Sequence, residues 1–175
     1  MHNIGEKVVY GMTGVCEITD IRSLNGMKGA QKNRLYYILK PLYQNGTIYA
    51  PADSDKVFLR PVMTREEAEK LIALIPSIKA EAYNNSNLQM LADHYKEMLN
   101  THDSETLVEL TMSIYAKKQY AEEQNRKFGQ VDEAFMKQAE ELLFGELAVA
   151  LGIEKSAVPD YIGGQIGDAQ QPSAD

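Results

Sequence analysis

Histidine, cysteine and net positive charge are all scarce in this 175-residue chain. Each scarcity removes a class of function. One cysteine, Cys16, excludes an internal disulfide and any multi-cysteine zinc site. Three histidines, His2, His94 and His102, supply no pair at the i, i+4 spacing that lets two imidazoles on one helix face share a zinc. No window reaches 18 uninterrupted apolar residues, so no transmembrane helix is expected. The start, Met1 to Lys7, lacks the charged-then-apolar pattern of a secretory signal, and a cytoplasmic location is expected. With 18 Lys and Arg against 25 Asp and Glu, the net charge is −7, which argues against a tight, autonomous nucleic-acid binder.

Catalytic machinery is equally thin. Cys16 sits in a β-rich run beside Glu17, with no neighbouring cation to stabilise a thiolate, and reads as buried and structural. Glu66-Glu67, Glu122-Glu123 and Glu140-Glu141 are helical neighbours that point about a hundred degrees apart, so they do not flank one scissile bond. Gly11-x-x-Gly14 and Gly26-x-x-Gly29 lack the GK[ST] ending of a phosphate loop. No enzyme, cofactor or metal site is expected. A hydrolase hidden in the second half would need clustered histidines and carboxylates, and none is visible.

The chain itself falls into two unlike parts. Residues 1–62 carry eight Lys or Arg and five acids, a net +3, which leaves −10 for residues 63–175. In the first part short β-rich runs (Lys7–Tyr10, Val15–Ile21, Leu35–Leu42, Thr47–Ala50, Val57–Leu59) alternate with turn residues. Asn45-Gly46 is the signal of a type I′ hairpin turn, which needs positive φ at both central residues. Five strands in about sixty residues suggest a small barrel, because closure removes edges. Tyr36-Tyr37-Ile38-Leu39 is apolar on both faces. Either a partner covers its outer face or tyrosines lean over a barrel rim.

Past Pro61 the apolar spacing becomes helical. Thr64-Arg65-Glu66-Glu67 is a capping box opening a helix that stops before Pro76. A second stripe joins Leu88, Leu91, Tyr95, Met98 and Leu99; a third joins Leu107, Leu110, Ile114 and Tyr115 after Asp103 or Ser104; a fourth runs from Phe135 to Leu151 and ends at Gly152. A short helix is expected at 156–162, and residues 163–175 read by composition as a disordered tail. Lys117-Lys118 and Arg126-Lys127, with Lys96 and Lys137 on flanking helices, form a positive strip if folded together. Spacing alone favours the plainer role for Lys117 and Lys118, balancing a helix C-terminus.

Ile4-Gly5-Glu6-Lys7-Val8-Val9-Tyr10-Gly11-x-x-Gly14-Val15, then Tyr36-Tyr37-Ile38-Leu39, Ile48-Tyr49-Ala50-Pro51 and Val57-Phe58-Leu59-Arg60-Pro61-Val62 resemble the CarD/CdnL family. That module is itself similar to the RNA-polymerase-interacting domain of the transcription-repair coupling factor. Tyr95-Lys96-x-x-Leu99, the run 107–118 and Leu143-Phe144-Gly145-Glu146-Leu147-Ala148 extend the likeness into the helices. The resemblance implies an α+β fold: an SH3/Tudor-like β-barrel at 1–62, an all-α domain at 63–162 and the tail at 163–175. It implies a monomeric bacterial transcription regulator that docks on the RNA polymerase β subunit and stabilises the promoter open complex through weak, sequence-independent DNA contact.

Polymerase contact would then fall to Ser23, Leu24, Thr47, Ile48, Tyr49 and Pro51. DNA contact would fall to Leu91, Lys96, Lys117, Lys118, Arg126, Lys127 and Lys137. Leu91 stands where the family often has a tryptophan wedge, while its stripe with Leu88, Tyr95 and Met98 favours a core position. Asp93, His94 and Gln138 stand at positions where family members carry basic residues. The alternative reading is a protein–protein adaptor whose acidic helical half does not bind DNA.

Overall fold

The computed structural model describes residues 1–55 and 58–170. It divides into two compact units, Met1–Met63 and Thr64 onward.

In the first unit five antiparallel strands, β1 Lys7–Tyr10, β2 Gly14–Ser23, β3 Leu35–Pro41, β4 Ile48–Pro51 and β5 Leu59–Pro61, form one sheet in the order β4-β3-β2-β1-β5. Strand alternation sends Val8, Cys16, Ile18, Tyr37, Leu39 and Ala50 to one face, where they make the main core. The registers Val8↔Cys16, Ile18↔Leu39 and Tyr37↔Ala50 bring these side chains opposite one another. Thr19 is the extra residue of a bulge between Ile18 and Asp20, which bends the long β2.

Two expectations change here. Among the described residues β4 and β5 do not pair, so the sheet keeps two edges where a closed barrel was expected. Asn45-Gly46 is not a type I′ turn either: Gly46 has φ +120°, but Asn45 does not share a positive φ, and the β3–β4 connection spans residues 42–47. A six-residue connection relaxes the two-residue constraint that demands positive φ twice. The apolar outer face of β3 also has an owner. Tyr36 and Ile38 pack with Leu24 and Ala30 of the β2–β3 connection, and the Gln31 amide donates to Tyr36 Oη at 3.0 Å.

The second unit holds α1 Arg65–Leu74, α2 Leu88–Leu99, α3 Ser104–Glu123, α4 Gln130–Leu151 and α5 Val158–Gln170, with 3-10 turns at Ile75–Ser77 and Lys155–Ala157. Both halves of the Thr64/Glu67 capping box are formed, and Asp103 caps α3 through the Thr106 amide. Gly152 ends α4 in the left-handed region, φ +68°. Leu91, Tyr95, Leu110, Ile114, Ala139 and Leu147 are buried among these helices.

α5 overturns part of the tail reading. Residues 163–170 are helical, whereas 171–175 lie outside the described residues. Glycines at 163, 164 and 167 each disfavour a helix by about 1 kcal/mol against alanine, and that composition suggested disorder. What it hid is a stripe: Val158 is fully buried, and Tyr161, Ile162 and Ile166 continue at helical spacing, half-buried. Tyr161 and Ile166 border a cavity of about 200 Å³ with Ile72 and Ala73 of α1. Among the described residues, no helix is long and apolar enough to cross a membrane.

Candidate functional site

Two surfaces collect the sequence-predicted residues, one on each unit. On the sheet, among the described residues, β4 pairs only with β3. The Ala52 amide donates to the Leu35 carbonyl at 3.0 Å. By antiparallel alternation, the backbone groups of Ile48 and Ala50 then face β3, while those of Tyr49 and Pro51 turn outward. Pro51, with no N–H to offer, suits that outward position. The side chains alternate the other way. Ile48 and Ala50 pack on the main core, and Tyr49 is 41% exposed. Thr47 is exposed just before the strand. The edge therefore presents the tyrosine ring and the outward N–H and C=O of Tyr49, the Pro51 carbonyl already accepting from the Ser54 amide at 3.4 Å, an arrangement that accepts an extended segment or a flat apolar partner.

The two remaining residues of that set are less available. Leu24 is buried at 7% exposure against Tyr36 and Ile38, so its side chain belongs to the outer cluster and offers no contact surface. Ser23 ends β2 opposite Leu35, with a buried Oγ that has no hydrogen-bond partner among the described residues.

On the helical unit the structure separates what spacing had grouped. Leu91 is 3% exposed and lies in the core, so it is not a surface wedge. The stripe explains it: Leu91, Tyr95 and Leu99 fall on one face of α2, whereas Leu88 and Met90 are exposed beside it. Lys117 does not balance a helix C-terminus either, because α3 continues to Glu123 and has no basic residue in its last turn. Its ammonium donates to Asp132 Oδ1 at 2.7 Å, and the two side chains are only 13% and 9% exposed. Tyr95 Oη donates to the same carboxylate oxygen at 2.5 Å.

This buried triad ties α2, α3 and α4 together, with Tyr95 also packed at 5.3 Å between ring centroids against Phe135. Burial first, then the hydrogen bond to Asp132 and its charge, push the Tyr95 phenol far above its ordinary range. The phenol therefore stays protonated as a donor. Sequence reasoning missed Asp132, because an aspartate in the first turn of a helix reads as an ordinary favourable charge. Its partner lies 15 residues away.

Lys117 nevertheless borders a cleft of about 640 Å³ at the α3–α4 corner, together with Tyr120, Arg126, Lys127, Phe128 and Asp132. The local chain reversal builds it. Asn125 takes a left-handed φ of +51°, the Arg126 amide donates back to the Ala121 carbonyl at 2.8 Å, and residues 126–129 fold over the last turn of α3. Arg126 and Lys127 are thus brought together with Lys117, whereas Lys96, Lys118 and Lys137 do not line this cleft. Lys96 and Lys137 are exposed and Lys118 is half-buried, each elsewhere on its helix.

Other polar pairs are accounted for locally. Tyr115 donates to Glu140 at 2.6 Å, and burial together with that bond raises its phenol to about 12. Cys16 is fully buried, and desolvation lifts its thiol to about 11, the opposite of an activated nucleophile. Among the described residues no three His, Cys, Asp or Glu side chains come together in a group suited to a metal ion.

A comparison with curated proteins gives no match. Comparison with family models does give one, and it spans almost the whole of the first unit. The opening Gly5-x-x-Val8-Val9-Tyr10 run of β1, the β3–β4 pair with its free edge and the returning β5 all lie inside it. Residues 2–63 match the model of the CarD-like/TRCF RID domain.

Proposed function

We propose that this protein is a non-enzymatic transcription regulator that docks on RNA polymerase through its sheet unit and brings its helical unit to promoter DNA. One observation carries the reading: the CarD-like/TRCF RID match over residues 2–63 falls on a sheet whose β4 edge is unpaired among the described residues and bears an exposed Tyr49. The docking partner is the polymerase β subunit, met by Thr47, Tyr49 and Pro51, with Ile48 and Leu24 holding the strand and its backing from within. The chain acts as a monomer on polymerase.

Contact with DNA falls to Lys96, Lys118, Arg126, Lys127 and Lys137, and stabilisation of the open complex is the outcome. Lys117 is discounted as a phosphate ligand because Asp132 already neutralises it. A unit of net charge −10 holds DNA weakly by itself. Polymerase compensates by raising the local concentration, as any tethered second contact does.

Pull-down of the full chain by the isolated polymerase β lobe tests the reading. Retention by the lobe is expected, and loss of retention in Tyr49→Ala with an unchanged far-UV spectrum ties it to β4. No retention of the wild-type chain would refute the proposal.

A second reading has support of its own. The acidity of the helical unit, with Leu91 buried and Lys117 paired, suits an adaptor that binds a second protein and no DNA. Salt separates the two. Contact with duplex DNA weakens with a log–log slope of about −0.9 per phosphate neutralised. Affinity for a forked promoter fragment that polymerase cannot raise, even at low salt, would favour the adaptor.

A further inference from the structure

Several charged and aromatic groups of the helical unit that lie near the α3–α4 corner already have partners. Lys117 is paired with Asp132, Tyr95 donates to the same carboxylate, Tyr115 donates to Glu140, and Tyr83 stacks on His94 with ring centroids 3.8 Å apart. Within the cleft at that corner the pattern reverses. Among the described residues Arg126 and Lys127 have no ion-pair partner, Tyr120 has no hydrogen-bond or ring partner although it is 58% exposed, and Phe128 has no ring partner.

Four groups able to recognise a ligand are thus left unused in one concavity. The carboxylate that also lines it, Asp132, is neutralised by Lys117 at 2.7 Å, so the cleft keeps the charge of its two free cations. This local +2 stands out in a unit whose sum is −10. A volume of about 640 Å³ is in the range of small-molecule sites and exceeds what one aromatic ring needs.

We propose that this cleft holds one unpaired nucleotide of a single-stranded nucleic acid, its base against Tyr120 and Phe128 and its phosphate on Arg126 and Lys127. Aromatic rings interleaved with cations bind single strands because every unpaired base has a free π-face and every backbone step carries a charge. A duplex presents its phosphates outward and keeps its bases stacked inside, so it would engage Arg126 and Lys127 and leave both rings idle. An acidic peptide would likewise use only the cations. The inference rests on the proposed contact between the helical unit and DNA, and narrows it to a place and a strand state.

The test uses the full chain without polymerase, so polymerase docking does not enter the result. Fluorescence anisotropy at low salt would compare a labelled oligo-dT single strand with a duplex of the same length. The single strand is expected to bind more tightly. Tyr120→Ala should weaken single-strand binding about tenfold, while Tyr120→Phe keeps it, and neither should alter duplex binding. Arg126→Ala should weaken both probes and reduce the single-strand salt slope by about 0.7.

Equal affinity for the two probes, or a Tyr120→Ala variant that binds as wild type, would overturn the cleft assignment and leave duplex contact standing. Binding to neither probe would overturn the cleft assignment, whereas the DNA reading itself fails only if polymerase cannot raise affinity for the forked promoter fragment. Displacement of the strand by excess thymidine monophosphate at one-to-one stoichiometry would reassign the site to a free nucleotide and refute the strand.

Discussion

Removing Asp132 separates a structural lysine from a DNA-binding one. In Asp132→Ala the Lys117 ammonium, 13% exposed in its pair, loses its counter-charge while remaining largely out of water, and Tyr95 Oη loses its acceptor. Breaking a buried pair by deleting one member costs about 3–5 kcal/mol. The residual exposure of Lys117 puts this case near the lower end, about 3 kcal/mol. With a urea slope of about 1–3 kcal/mol/M, the midpoint of the helical unit should fall by about 1–3 M.

Lys117→Met should cost less, about 1–2 kcal/mol. The carboxylate it leaves behind keeps the Tyr95 hydroxyl and sits in the first turn of α4, where a helix favours negative charge. The double variant Lys117→Met/Asp132→Ala should therefore be milder than the sum, with a coupling of about 2 kcal/mol. Urea titration followed by far-UV circular dichroism measures all three. An Asp132→Ala variant within about 0.5 kcal/mol of wild type, or strictly additive variants, would show that Lys117 is not held in place by this pair.

Leu91→Ala should destabilise the helical unit by about 2–5 kcal/mol, the range for a leucine truncated in a packed core; thermal unfolding checks it, and an unchanged midpoint would return Leu91 to the surface. The raised Cys16 thiol, about 11 against an ordinary 9.0, predicts a sheet unit that is indifferent to this group below pH 9. Between those values the unfolded chain releases the proton that the folded chain keeps, so stability falls as pH rises, and Cys16→Ala should remove that part of the decline. Glu6 behaves in the opposite sense: its hydrogen bond with His2 and the Asn3 amide lowers its carboxyl, so its contribution is present above about pH 4.5 and is lost on acidification, a dependence that Glu6→Gln should flatten in an acid titration.

Local rules were legible in the sequence wherever the physics is local. The capping box at Thr64, the Asp103 cap and the Gly152 stop each act within a few residues, and each formed as read. The first four strands were legible for the same reason; the fifth, expected at Val57–Leu59, is Leu59–Pro61, and Val57 lies outside the described residues. Tertiary consequences were not. Nothing in the spacing of Tyr36 and Ile38 reveals that the chain's own Leu24 and Ala30 cover them, and nothing in Lys117-Lys118 reveals an aspartate 15 residues on. The α5 stripe was hidden by three glycines, whose low helix propensity is outweighed by burying Val158 and its neighbours. Arg126 and Lys127 were visible as a basic pair, but the cleft they line depends on the left-handed turn at Asn125, and asparagine takes that conformation only where context selects it.

The central claim is that the β4 edge of the sheet unit faces the polymerase β subunit, and a photo-crosslinking residue placed at position 49 tests it most directly. With the full-length chain and core polymerase, position 49 should crosslink to the β subunit, while the same residue at position 60, on β5 at the opposite edge of the sheet, should not. A β crosslink from position 60 with none from position 49 would contradict the account.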